Sequence, residues 1–181
     1  MSINNRKLLG ISICLLVLSG CGSSKKDVQQ ASVNEPEKAH HIKELYLQFN
    51  TDKNLNPDQD NQPLSVMVRI YQIKDNQAFL QTNYKDLLKE KNDVVKQNTL
   101  SRYDIILKPN EKILLHRSLE KETIYIVIVA FFRKPDLEKN NWKAIIRRDY
   151  LIKKKPRIVD VNANNLSVKP TKKELKDQKK K

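Results

Sequence analysis

After residue 41, apolar and polar positions alternate with a period of two along most of the chain. Ile42 to Phe49 sets Leu45, Leu47 and Phe49 on one side. Leu64 to Ile73 sets Val66, Val68 and Ile70 on one face, with Ser65, Arg69 and Tyr71 opposite. Side chains of a strand project to alternate faces, so each run predicts a half-buried β-strand. Further β-type runs cover residues 100–107, 113–119, 123–132, 142–152, 157–161 and 166–168. The run Thr123–Phe132 is apolar on both faces and predicts a strand at the centre of a sheet. The period changes between residues 76 and 97. There Asn83 can cap a helix, with Asp86 three positions on and Tyr84, Leu87 and Leu88 on one face above Phe79. About eight strands, close turns and one short inserted helix predict a mainly β fold, a two-sheet β-sandwich over residues 42–168.

The breaks between runs are polar and rich in asparagine: 54, 56, 61, 76, 110, 140, 141, 162, 164 and 165. The longest is the 50–63 segment, and Pro109-Asn110-Glu111 predicts a tight hairpin turn. Asparagine stands there because the chain has three glycines, Gly10, Gly20 and Gly22, all at its amino-terminal end. Turns with positive φ must then fall to the next most tolerant residue. The same absence excludes glycine-rich phosphate loops, dinucleotide fingerprints and Gly-x-Ser-x-Gly elbows from the body.

The first twenty residues follow another pattern: two cations, Arg6 and Lys7, an apolar run from Leu8 to Leu18, then Ser19-Gly20-Cys21. Roughly 11 apolar residues are too few to cross a hydrocarbon core about 30 Å thick. The order is that of a secretory signal, residues 1–20, cleaved before Cys21. Leu18-Ser19-Gly20-Cys21 resembles the bacterial lipobox, in which the cysteine thiol takes a diacylglyceryl group and further acyl chains such as palmitate. The resemblance implies lipidation at Cys21 and, because Gly22 rather than aspartate follows, the periplasm-facing inner leaflet of the outer membrane. Residues 21–41 then read as the acylated cysteine and a tether, which as a flexible coil would span roughly 25 Å. Cys14 leaves with the signal, so disulfides, cysteine metal sites and cysteine nucleophiles are excluded from the mature chain.

The formal charge of +14 falls by two with the signal. Export removes nucleic acid as a partner and turns the basic balance towards anionic envelope surfaces or an acidic protein. Residues 169–181 hold seven lysines and two acids. Thr171 and Glu174 fit a capping box, but only Leu175 follows as an apolar residue, so this segment reads as a lysine-rich disordered tail able to hold acidic lipid or wall polymers. Candidate chemistry is sparse. Asp52-x-Asn54-x-Asn56 begins like a calcium loop but continues with Pro57 and Pro63 where glycine and glutamate are needed. His40-His41 lacks a third ligand, His116 is a lone strand residue, and Asp58 with Asp60 or Glu111 is a pair that polar loops form by chance. No cofactor, metal or catalytic residue is expected beyond the lipid on Cys21.

Leu55-Asn56-Pro57-Asp58, then Pro63 and the strand Val66-Met67-Val68-Arg69-Ile70-Tyr71-Gln72-Ile73, followed by Phe79, Leu87-Leu88 and Pro109-Asn110-Glu111, resemble the type VI secretion outer-membrane lipoproteins (TssJ/VasD). Asn110 stands where that family usually has glycine, a residue that also visits the left-handed region. The resemblance covers residues 42–152 and implies a transthyretin-like sandwich without catalysis. It further implies an adaptor that fixes the secretion membrane complex to the outer membrane by binding the periplasmic part of its large inner-membrane subunit, TssM. Within the first long loop, Asn54, Leu55, Asn56, Pro57 and Asp58 are the expected partner contacts. The alternative is an envelope lipoprotein that binds peptidoglycan or carbohydrate, for which Trp142 is the one indole on offer.

Overall fold

The computed structural model describes residues 41–90 and 92–180; the signal, Cys21 and residues 22–40 of the tether lie outside the described residues. Among the described residues eight strands form two four-stranded sheets, in the orders β4-β1-β7-β8 and β3-β2-β5-β6. They are β1 (Glu44–Thr51), β2 (Val66–Ile73), β3 (Thr99–Leu107), β4 (Lys112–Ser118), β5 (Tyr125–Ala130), β6 (Lys143–Arg147), β7 (Arg157–Val161) and β8 (Leu166–Val168). All neighbours pair antiparallel except β1 with β7, which run parallel with Phe49 opposite Val159. The expected sandwich is therefore present, each strand within a few residues of its sequence run. The run 142–152 is the main departure: its strand ends at Arg147 and a 3-10 turn follows over Arg148–Tyr150.

The period-two pattern sorts the core face as expected, but β2, expected to be half-buried, is buried on both faces. Leu45, Leu47 and Phe49 are fully buried against Val66, Val68 and Ile70 in one core, and Ile126, Ile128 and Ala130 of β5 lie directly across from Gln72, Ile70 and Val68. The opposite face of β2 and β5 is buried too, which explains the apolar run on both sides of β5. Its cover is the segment between β2 and β3. Here the single expected helix is instead three short ones, α1 (Gln77–Gln81), α2 (Tyr84–Leu88) and α3 (Asp93–Asn98). Asn83 caps α2 by accepting from the Asp86 N–H at 3.0 Å, and Asn92 caps α3 in the same way through the Val95 N–H. Phe79, Leu87 and Val95 point into the sheet, Phe79 edge-on to Tyr71 with ring centres 4.8 Å apart. Tyr84 meets Trp142 edge-on, and its hydroxyl donates to the Phe132 carbonyl. Lys143, its pKa lowered by burial, donates its ammonium to the Phe79 and Thr82 carbonyls.

The carboxy-terminal segment corrects the expectation of a disordered tail. Lys172–Gln178 is a helix, α4, closed by the reciprocal bonds of a capping box between Thr171 and Glu174. It docks through polar contacts, which apolar periodicity does not register. Glu174 pairs at 2.9 Å with Arg157, a side chain 4% exposed, and the Tyr150 hydroxyl donates to Asp177.

Candidate functional site at the distal loops

Strand directions divide the connections between two ends. The chain leads into β1 at one end, here called proximal, together with both ends of the β2–β3 connection (74–98), the segments 119–124 and 148–156, and the stretch after β8. The distal end collects the β1–β2 loop (52–65), the β3–β4 turn (108–111), the β5–β6 loop (131–142) and the β7–β8 turn (162–165). Eight residues of β1 separate the two, roughly 25 Å at strand rise.

The long distal loop is stitched to all three of its neighbours. The Asp52 N–H donates to the Val161 carbonyl, and the Asn110 N–H to the Asp52 carbonyl. Thr51 donates its hydroxyl to Lys108 O and accepts from the Glu111 N–H at 2.7 Å. Asn56 is the centre of the construction. It is 6% exposed at φ 44°, its N–H donates to Ala163 O, its amide donates to Ser65 O, and its amide oxygen accepts from the Arg133 N–H, each at 2.8 Å. Leu55 is fully buried and its carbonyl accepts from the Leu64 N–H. Asp58 turns the loop's tip, accepting from the Asp60 and Gln62 N–H groups at 2.9 and 2.8 Å. The positive-φ positions of the described body bear out the asparagine reading at 56, 61, 110 and 140, while Glu90 and Lys154 supply two that the sequence did not signal.

The five expected contact residues therefore divide. Asn54 is exposed, Pro57 and Asp58 are half-buried, and Leu55 and Asn56 face inward. The Leu55 side chain and the Asn56 amide are taken up by the loop's own closure, so both shape the loop from within. The surface offered outward consists of Asp52, Lys53 and Asn54 on one side of this knot and Gln59 to Pro63 on the other, beside Arg133, Lys134 and a 57% exposed Leu137. Leu137 and the β5–β6 loop went unnoticed in the sequence; their signal was an isolated apolar residue in a polar stretch.

The remaining candidates resolve locally. Asn56 spends its amide inward, so the Asp52, Asn54 and Asn56 side chains do not converge. Among the described residues no group of three or more His, Cys, Asp or Glu stands close enough to hold a metal. His116 stacks on Tyr46 with ring centres 4.3 Å apart and meets Glu44 at 3.3 Å on the outer surface of β1 and β4. The Tyr46 hydroxyl bond holds the Glu44 carboxyl below its usual range. Trp142 is fully buried and is not an exposed platform for a sugar ring. Among the described residues no helix is long and apolar enough to cross a membrane.

Comparison with known proteins agrees with this geometry. The profile of the family T6SS-SciN, "Type VI secretion lipoprotein, VasD, EvfM, TssJ", matches residues 43–164. A chain in the solved structure described as "T6SS protein TssM C-terminal domain (869-1107) from EAEC" is 31% identical, with a TM-score of 0.66 over 72% of this chain and 100% of that one. One in the "Type VI membrane complex" is 32% identical, with a TM-score of 0.69 over 71% of this chain and 99% of that one. The lipoprotein TssJ1 from Pseudomonas aeruginosa, 19% identical, shares the fold with a TM-score of 0.57 over 72% of this chain and 98% of that one. No curated protein sequence matches. With the family profile spanning the first seven strands and the distal loop, the chain belongs to the type VI secretion lipoproteins of the VasD/TssJ family.

Proposed function

We propose that this chain is a lipid-anchored adaptor without catalytic activity, fastened through acyl and diacylglyceryl groups on Cys21 to the inner leaflet of the outer membrane. Its distal loops grip the periplasmic C-terminal part of TssM and so tie the secretion complex to that membrane. The observation that carries the reading is the placement of a braced loop cluster at the end of the sandwich opposite the one where the chain enters β1. A tether at the proximal end leaves the distal loops facing away from the lipid. The loop's internal bonds also pre-form its shape, which lowers the ordering cost of binding. The similar chains found in structures named for the TssM C-terminal domain and for the type VI membrane complex support the choice of partner.

The test is isothermal titration of residues 22–181 with the periplasmic region of TssM. Lys53→Ala, Asn54→Ala and Asp60→Ala combined should weaken binding at least about tenfold, as expected for loss of interface contacts. The melting temperature should not change, because these side chains are exposed. An absence of complex with the unaltered chain would overturn the reading.

A further inference from the structure

The charge of this protein is unevenly placed. The distal segments 52–65, 108–111, 131–142 and 162–165 hold five Lys and Arg against six Asp and Glu. The β2–β3 connection, 74–98, holds five against four, and the proximal segments 41–43, 119–124, 148–156 and 169–180 hold twelve against five. Most of those five acids are already engaged: Glu122 with Lys74, Asp149 with Arg147 and Lys173, Glu174 with Arg157, and Asp177 with the Tyr150 hydroxyl. Lys43, Lys121, Lys153, Lys154 and Lys155 are exposed and form no ion pair among the described residues. Lys43, Lys153 and Lys154 line an open cleft of about 360 Å³ with His41, Ile42 and Glu44.

This basic end is also fixed in shape and carries apolar side chains. The buried Arg148 guanidinium donates to the carbonyls of Ile42, Glu120, Lys121 and Thr123, which binds the start of the domain to the β4–β5 connection. The 152–155 turn is closed by the bridge between Ile152 and Lys155, with Lys154 at φ 57°. Ile124, Ile152 and Leu175 are 48%, 47% and 45% exposed, each on a segment of this end. Lysines set among exposed aliphatic side chains match the boundary between lipid head groups and acyl chains: the ammonium groups meet phosphate and the aliphatic groups enter the apolar layer.

We propose that the proximal end is a membrane-docking surface that lies on anionic phospholipid head groups through Lys43, Lys121 and Lys153 to Lys155, with Ile152 entering the acyl boundary. Its orientation towards the membrane rests on the anchoring at Cys21 proposed above. Docking would hold the domain upright, with the distal loops presented to the periplasm. Each lysine near an anionic surface contributes about fivefold to partitioning.

The experiment uses lipid-free residues 22–181, which contain all eight strands and their core, and measures flotation with vesicles without TssM present. One set is phosphatidylcholine alone; the other contains about one third phosphatidylglycerol. The expected result is flotation with the anionic vesicles only, weakened more than about tenfold when salt rises from about 0.05 to 0.5 M. Lys43→Glu, Lys153→Glu, Lys154→Glu and Lys155→Glu combined should lower binding at least about tenfold, whereas the distal set Lys53→Glu, Lys134→Glu and Lys139→Glu should leave it unchanged. Ile152→Trp, with Trp142 the one native indole, should shift its emission to the blue on anionic vesicles. Equal binding to neutral vesicles, retained binding by the proximal variant, equal loss in both variants, or capture by isolated peptidoglycan in place of vesicles would overturn the proposal. Loss of the TssM complex with vesicle binding intact would overturn the adaptor reading alone.

Discussion

Single side chains decide the distal loop, and Asn56 decides most. It occupies the left-handed region, which costs a non-glycine residue about 1 kcal/mol, and its amide supplies two of the bonds that close the loop. Asn56→Ala should destabilise the domain by about 2–3 kcal/mol, since it keeps the backbone strain and orphans Ser65 O and Arg133 N–H. Asn56→Gly loses the same bonds without the strain, and should fall about 1 kcal/mol short of the alanine variant in urea denaturation. Equal losses would mean the backbone is relaxed in the native loop. A second residue-scale feature governs acid stability. Arg69, 5% exposed, grips Asp104 through two bonds of 2.8 Å and reaches Glu90 at 2.8 Å. The hydrogen bonds from Arg69 hold the Asp104 carboxyl below its usual range, and those from Arg102 do the same for Glu90. A carboxylate with a depressed folded pKa stabilises above its unfolded value near 4 and loses that stabilisation as pH falls through the folded one. The stability gap between wild type and Asp104→Asn should therefore be widest at neutral pH and close as pH falls below the unfolded carboxylate value near 4 and through the lower folded one. A constant gap would place the effect of Asp104 in packing.

At the scale of elements, the sequence was most legible where burial is one-sided or complete. The eight strands and their faces follow from apolar alternation, and the both-faced run of β5 correctly foretold a central strand. What covers that strand's second face was half legible. Asn83 with Tyr84 and Leu87 announced α2, but α1 and α3 are one-turn helices whose one buried side chain apiece, Phe79 and Val95, makes no periodicity. Helix α4 was misread for a different reason. Its only apolar residue, Leu175, is exposed, and its attachment is polar: Lys173 with Asp149, Asp177 with the Tyr150 hydroxyl and, most buried, Glu174 with an arginine seventeen residues earlier. Only the fold brings those two together. Glu174→Ala breaks both the capping box and the ion pair, and should detach the helix. Amide exchange over residues 172–178 should then rise at least about tenfold while the sheets stay protected, the pattern of a local opening. Unchanged protection of α4 would show that its docking lies elsewhere. The contact loop was legible as a long polar break, but not its interior: Leu55 and Asn56 look like any loop residues until the β5–β6 and β7–β8 connections close around them.

At the scale of the whole molecule, the account rests on polarity along the strands. One end carries the excess lysines and receives the chain leading from Cys21; the other carries four braced connections of near-balanced charge. The sandwich between them holds a core in which Gln72 links the sheets, donating to Ser118 O and accepting from Thr123 and the Glu120 N–H. A rigid body of this kind fixes the spacing between lipid and partner. The most direct measurement is site-specific photocrosslinking in living cells, with the photoreactive residue placed at Asn54, at Asp60 or at Lys153. The account predicts an adduct with TssM from Asn54 and Asp60 and none from Lys153. Adducts with TssM from Lys153 alone, or from none of the three, would contradict it.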